Sequence, residues 1–144
     1  MDAGTSTDIC ACPAGFSRCA GRCLMKLPQD QLNFTEAQEA CGSLGAHLAV
    51  PRSTAENQCA LSMAVGVDTW LGVSDRAVEG VYAAEDGGDP ILLSSPFWGT
   101  GEPSDATGEF DCVQIWSNAW DDTLCSFNIS SICQIRNCLT PECV

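Results

Sequence analysis

Histidine occurs once in this 144-residue chain, at His47. A Ser-His-Asp or Cys-His arrangement would have to use that one imidazole. In Gly45-Ala46-His47-Leu48-Ala49-Val50 it reads as part of a buried strand leading out of a helix, so the chain is not read as an enzyme. Positive charge is scarce too: six Lys and Arg stand against 19 Asp and Glu, a net charge of −13. Nucleic acid and anionic membrane both need a basic footprint that these residues cannot make. The sequence also lacks a run of about 18 apolar residues, which excludes a transmembrane helix and membrane insertion through one. Met1 to Thr7 is polar and small, without the h-region of a secretion signal, so a signal peptide is expected to have been removed or to lie outside this sequence.

What is abundant is cysteine. Eleven cysteines in one domain's length of chain belong to an oxidising compartment, which places the protein outside the cell as a secreted molecule. Zinc is the other use for clustered cysteines, but Cys10-Ala11-Cys12 and the Cys19 to Cys23 spacing lack paired CxxC. Because the count is odd, at least one thiol stays free or joins a second chain, giving a covalent homodimer.

Acid is the second excess. Between Arg76 and Arg136 lie ten carboxylates and no Lys or Arg. Such a stretch repels itself unless it is solvated or neutralised, and the hard cation that gathers six to eight oxygen ligands is calcium. A charge-rich stretch on its own is ordinarily a solvated surface; the flanking motifs, described below, turn the balance toward a metal site.

Residues 1–9 read as a disordered lead-in, 10–136 as one domain, and 137–144 as a cysteine-containing tail. Cys10 to Cys23, with Gly, Pro and Ala between the cysteines, reads as a disulfide-pinned loop or hairpin. A first helix is expected after Asn33, with Thr35 as cap, Gln38 closing a capping box and Gly45 as the stop. A second is expected from a Ser53–Glu56 box to about Val65, before Gly66. Trp70–Val73, Val113–Trp116 and Ile132–Ile135 are the expected strands. Ala83 to Asp111 is too rich in Gly, Pro and Asp for regular structure, and a loop of that length in a compact domain is usually functional. Trp70, Trp98, Trp116 and Trp120 read as core or loop-anchoring aromatics. Asn33-Phe34-Thr35 and Asn128-Ile129-Ser130 match the N-glycosylation pattern.

Several landmarks stand in order. Cys12-Pro13-Ala14-Gly15-Phe16 with Cys23 opens the domain, Phe34 to Cys41 is a helix ending in a cysteine, and Trp70-Leu71-Gly72-Val73 is a WIGL-like strand. Trp98 precedes Glu102-Pro103-Ser104, an EPN-like triplet; Trp120-Asp121-Asp122 is WND-like; Cys112, Cys125 and Cys133 follow the same order. Over roughly Cys12 to Arg136 the chain thereby resembles the long-form C-type lectin-like domains. That resemblance implies an α+β fold with two helices, antiparallel sheets and a long calcium-binding loop. It implies disulfides Cys12–Cys23, Cys41–Cys133 and Cys112–Cys125. Cys10, Cys19, Cys59, Cys138 and Cys143 are left over; a clasp between Cys10 and a tail cysteine and a Cys19–Cys59 bond are both open.

The resemblance also implies two calcium sites. Asp75, Glu79, Asp105 and Asp111 match the carboxylates of the family's auxiliary site, which would brace the long loop. Glu102, Ser104, Phe110, Asp121 and Asp122 stand where the family's sugar-binding site takes its ligands. Ser104 offers a hydroxyl in place of an amide, Phe110 offers no side-chain oxygen, and Asp121 lacks an NH2 donor. Glu109 is a substitute ligand if the loop shifts. The shortened ligand set implies calcium binding at the weak end of the range for extracellular modules, about 0.1 to 1 mM. Glu85, Asp86 and Asp89 match no ligand position and read as plain surface. The function implied is calcium-dependent recognition of microbial or cell-surface glycans, mannose-type by the triplet, in innate immunity. There two vicinal sugar hydroxyls complete the calcium shell while Glu102, Ser104, Asp121 and Asp122 hydrogen-bond the same hydroxyls. The alternative is a module that keeps the fold and binds protein, mineral or ice, with calcium only structural. Phe110 and Ser104 favour it.

Overall fold

A computed structural model describes residues 11–104 and 108–135. A hairpin of β1 (Ser17–Cys19) and β2 (Arg22–Lys26) opens it, followed by α1 (Phe34–Gly42), β3 (Ala46–Leu48) and α2 (Thr54–Met63). Then come β4 (Thr69–Ser74), β5 (Ala83–Ala84), β6 (Cys112–Trp116), β7 (Ala119–Thr123) and β8 (Ser130–Ile135). The strands run in the order β1-β2-β8-β4-β6-β7, with β3 on β8 and β5 on β4. Strand β8 joins the halves: it pairs antiparallel with β2 and β3 and parallel with β4 at Thr69–Ser130 and Trp70–Ser131. The fold is the α+β arrangement that the sequence implies.

Both helices start on capping side chains. Helix α1 is capped two residues before the expected position: Asn33 Oδ1 accepts from Glu36 N at 2.9 Å and Glu36 Oε1 accepts from Asn33 N at 3.0 Å. Thr35 is displaced from the cap because Phe34, one residue after Asn33, must enter the core as part of the helix; its ring meets Trp70 edge-on at 5.4 Å. Thr35 and Gln38 instead receive the Arg76 guanidinium. At α2, Ser53 caps as expected, through Glu56 N. The Glu56 carboxylate does not return to the cap; it accepts from Arg52 N and pairs with Arg22. The helix ends at Met63, two residues short of the expected Val65.

Four disulfides link the described residues: Cys12–Cys23, Cys41–Cys133, Cys112–Cys125, and Cys19–Cys59, which ties the opening hairpin to α2. Cys10, Cys138 and Cys143 lie outside the described residues. Strands β4, β6 and β8 are buried along most of their length, β4 through the apolar run Trp70–Val73 and β6 and β8 with Gln114, Ser130, Ser131 and Gln134 among their buried residues. Gly72 sits where β4 passes β3: its N–H donates to Ala49 O at 2.8 Å, and a Cβ there would collide with the Leu48 carbonyl. Only glycine allows that approach.

Glu85 and Asp86 are not plain surface. Glu85 accepts from Gln38 Nε2 at 2.6 Å and from Leu48 N at 3.2 Å, holding the loop to α1 and β3. Asp86 takes two hydrogen bonds from Arg52, at 2.9 and 2.7 Å, and one from Gly88 N. Burial works to raise the Asp86 pKa, but the Arg52 and Gly88 donors override it and hold the carboxyl below its ordinary value. Asp89 is exposed.

Candidate functional site

Strand β4 delivers Asp75 to the head of the long loop, where its N–H donates to Asp111 O at 2.9 Å, just ahead of β6. Gly80 N donates back to Asp75 Oδ2 at 2.9 Å, closing a turn that brings Glu79 alongside. Asp75, Glu79 and Asp111 each place a carboxylate oxygen within 4.8 Å of the others. Oxygens that ligate one ion at about 2.4 Å lie no further apart than this. Asp75 is 1% exposed, and its Oδ1 is buried without a hydrogen-bond partner. A buried acceptor left unmet is costly, and a cation would meet it. The donor set therefore fits a hard divalent ion. Asp105, the fourth expected ligand, lies outside the described residues.

The second group is held by tryptophans. Trp98 and Trp120 stack edge to face at 5.9 Å, and Phe97 lies 5.3 Å from Trp120. Main-chain bonds Trp120 N to Phe97 O and Gly99 N to Trp120 O lay residues 97–99 along β7, and Glu102 N closes a turn on Gly99 O. This sets Glu102 beside Asp121 and Asp122. The Glu102–Pro103 bond is cis. Ser104 N donates to Asp122 Oδ1 at 2.9 Å, with the hydroxyl 3.5 Å from the same oxygen, and Tyr82 Oη lies 3.5 Å from Asp122 Oδ2.

The pleat of β7 separates the two aspartates. Asp122 pairs with Val113 and is buried, while Asp121 pairs with Gln114 on the other face. Consequently Glu102, Asp121 and Asp122 form no second group of three carboxylates within the same spacing among the described residues. Phe110 is half-buried and brings no side-chain oxygen; Glu109 is exposed and belongs to no such group. Burial raises the Glu102 carboxyl to about 7, helped by the hydrogen bond to Asp122 and repulsion from Asp121 and Asp122, against a lowering contact with Ser104. Burial likewise raises Asp121 to about 6, with repulsion from Asp122 and Asp68 and an opposing hydrogen bond from Gln114. Glu102 Oε1 and Asp121 Oδ1 are buried and unpartnered. Excess negative charge and unmet acceptors are what a cation or hydroxyl donors would relieve.

One tryptophan departs from the core assignment. Trp70, Trp98 and Trp120 are buried, but Trp116 is 55% exposed. It pairs with Ala119 across a hairpin whose turn, Ser117–Asn118, has φ of 55° and 67°. Trp116, Glu102, Thr100, Ala119 and Asp121 border a recess of about 340 Å3. The alternation Val113-Gln114-Ile115-Trp116 carried the signal: with Val113 and Ile115 in the core, Gln114 and Trp116 must face away. Among the described residues no helix is long and apolar enough to cross a membrane.

Residues 30–135 match the model of the Lectin C-type domain. The chain is 34% identical over 127 residues to human CD209 antigen, covering 85% of this chain and 30% of that protein. It superposes on the carbohydrate-recognition domain of cow CD23, solved in the presence of a GlcNAc2Man3 oligosaccharide. The TM-score is 0.76 at 25% identity, covering 86% of this chain and 95% of that one. It also superposes on herring type II antifreeze protein, TM-score 0.73 at 28% identity, covering 85% and 97%. The chain spans about a third of the length of the curated relatives it matches, 30 to 32% for the first of them. With two helices and four disulfides among the described residues in an α+β fold, and a family model that matches residues 30–135, the chain belongs to the C-type lectin domain family.

Proposed function

We propose that this domain is a secreted, calcium-dependent carbohydrate-binding module. Asp75, Glu79, Asp105 and Asp111 would hold the bracing calcium, and Glu102, Ser104, Asp121 and Asp122 would form the recognition site. The observation that carries the reading is a pair of buried, unpartnered acceptors, Glu102 Oε1 and Asp121 Oδ1, on residues that line a recess, in a chain that also brings three carboxylates within coordination distance. Sugars are dense in hydroxyl donors, and these oxygens are preset acceptors. Calcium at the recognition residues would supply direct coordination of two vicinal hydroxyls. Asp111 sits one residue before β6 and Asp105 one residue after Ser104, so neutralising the bracing cluster fixes both ends of the segment that follows the triplet. The Glu102-Pro103-Ser104 triplet and the oligosaccharide named for cow CD23 favour mannose-type glycans on microbial or cell surfaces, in innate immune recognition.

A second reading keeps calcium structural and gives the face to protein, mineral or ice. It is favoured by Asp122, whose oxygens already face Ser104 and Tyr82, by Phe110, and by the likeness to herring antifreeze protein. Thermal melting with calcium and with EDTA, followed by elution from mannose and galactose columns, separates the two. The expected result is a calcium-dependent rise in Tm and elution by mannose. The Asp75→Asn variant should lose the calcium shift while its EDTA-treated form melts no lower than wild type, because a buried carboxylate without a counter-ion has been removed. A calcium shift with no sugar elution selects the second reading, and no calcium shift at all refutes both metal assignments.

A further inference from the structure

Trp116 has no place in the core and none in either carboxylate group. A large flat aromatic at 55% exposure is unusual in a chain whose three other indoles are buried with their N–H groups bonded, to Leu32 O, Leu92 O and Asn57 Oδ1. Two local features keep it displayed. Its cross-strand partner is Ala119, whose methyl leaves the recess open, and Ser117 and Asn118 adopt the left-handed conformation that makes the hairpin tight. Opposite stands Gly99, where a Cβ would come within 3.2 Å of Ala119 Cβ and 3.6 Å of Glu102 Cγ, so a larger residue would crowd this wall. The recess thus has an aromatic side, a small-residue floor and an acid side.

We propose that Trp116 and the Glu102–Asp121 side of this recess together hold a single pyranose ring, its C–H face against the indole and its hydroxyls toward the Glu102 and Asp121 carboxylates. The inference rests on the carbohydrate-binding reading above and names how the sugar is held. Its size suits one ring: about 340 Å3 lies at the small end of ligand pockets. Its chemistry suits a sugar, which offers an apolar face to the ring's π surface and hydroxyl donors to the two carboxylate residues that border the recess. Stacking also adds a contact where the ligand set is short, since Phe110 supplies no oxygen and Ser104 only a hydroxyl.

The test uses the whole chain with calcium, methyl α-mannopyranoside and methyl β-galactopyranoside as probes, and acrylamide quenching of tryptophan emission beside calorimetry. Trp116 is the accessible indole, so a saturating sugar that binds should shield the emission from acrylamide. Trp116→Ala should lower sugar affinity about tenfold, as loss of a central aromatic anchor does. Its calcium-induced Tm shift should stay at the wild-type value, and Trp116→Phe should recover most of the affinity. The inference is overturned if wild type binds sugar with acrylamide quenching unchanged, or if Trp116→Ala binds as well as wild type; in both cases the carbohydrate reading survives. Absence of sugar binding by wild type overturns both, and the calcium shift then shows whether the protein was loaded.

Discussion

At the scale of single residues, the site is governed by where carboxylate charge is allowed to persist. Glu102 carries a carboxyl raised from an ordinary 4.5 to about 7 and Asp121 one raised from 3.8 to about 6, burial being the leading cause in each. A carboxyl whose folded pKa lies above its unfolded one contributes stability that is complete below the unfolded value and is lost as pH rises through the folded value. In EDTA, melting temperature should therefore fall between about pH 4 and pH 7, and Glu102→Gln should flatten that fall. Calcium, which needs the ionised form, should stabilise the wild type more at pH 8 than at pH 5. An EDTA melting profile of Glu102→Gln with the same slope as wild type would show that this carboxyl is not the one titrating. The residue types of the candidate site were readable: Asp75, Glu79, Asp111 and Glu102 are carboxylates on loops or at strand ends, and Asp121 and Asp122 are carboxylates within β7. Which oxygens lie unpartnered was not readable, because that depends on neighbours from other segments, such as Tyr82 and Ser104 against Asp122.

At the scale of elements, caps and crosslinks make local claims that separate variants can check. Replacing Asn33 by Ala should destabilise the fold by about 1 kcal/mol, the usual cost of a lost cap, measured by urea unfolding. Thr35→Ala should cost less, since its hydroxyl only accepts from exposed Arg76. The reverse ranking would restore Thr35 as the cap. The Cys19–Cys59 bond closes a loop of 40 residues, so replacing both cysteines by Ala should cost about 4 kcal/mol in the chain-entropy model, less any contribution Arg22–Glu56 makes to holding the same contact. An unchanged unfolding midpoint would mean that the hairpin is docked to α2 without it. The caps show where sequence reading stopped: two overlapping starts, Asn33 to Glu36 and Thr35 to Gln38, are equivalent as strings. Burial of Phe34 against Trp70 chose between them. In the same way, period-2 alternation foretold the face of Trp116, but the abundance of core tryptophans concealed it.

At the scale of the whole molecule, charge and cysteine count act together. Eleven cysteines less the eight in four disulfides leave Cys10, Cys138 and Cys143, all outside the described residues. Three cannot pair within one chain. A dimer band on non-reducing gels that collapses with reductant is the expected outcome; a monomer with one titratable thiol per chain would refute it. The sequence by itself determined the acidic, cysteine-rich character, the two helices and the strands β4, β6 and β8, because composition, capping residues and hydrophobic period are local properties. It also carried, in spaced cysteines and short motifs, the family to which the chain belongs. Only the tertiary structure decided that three of the acids converge within coordination distance while Asp121 and Asp122 point to opposite faces of β7, and that Glu85 and Asp86 tie down the loop. The physical reason is that convergence is set by the pairing of segments far apart in the chain, and the strand pleat sends neighbours in sequence to opposite sides.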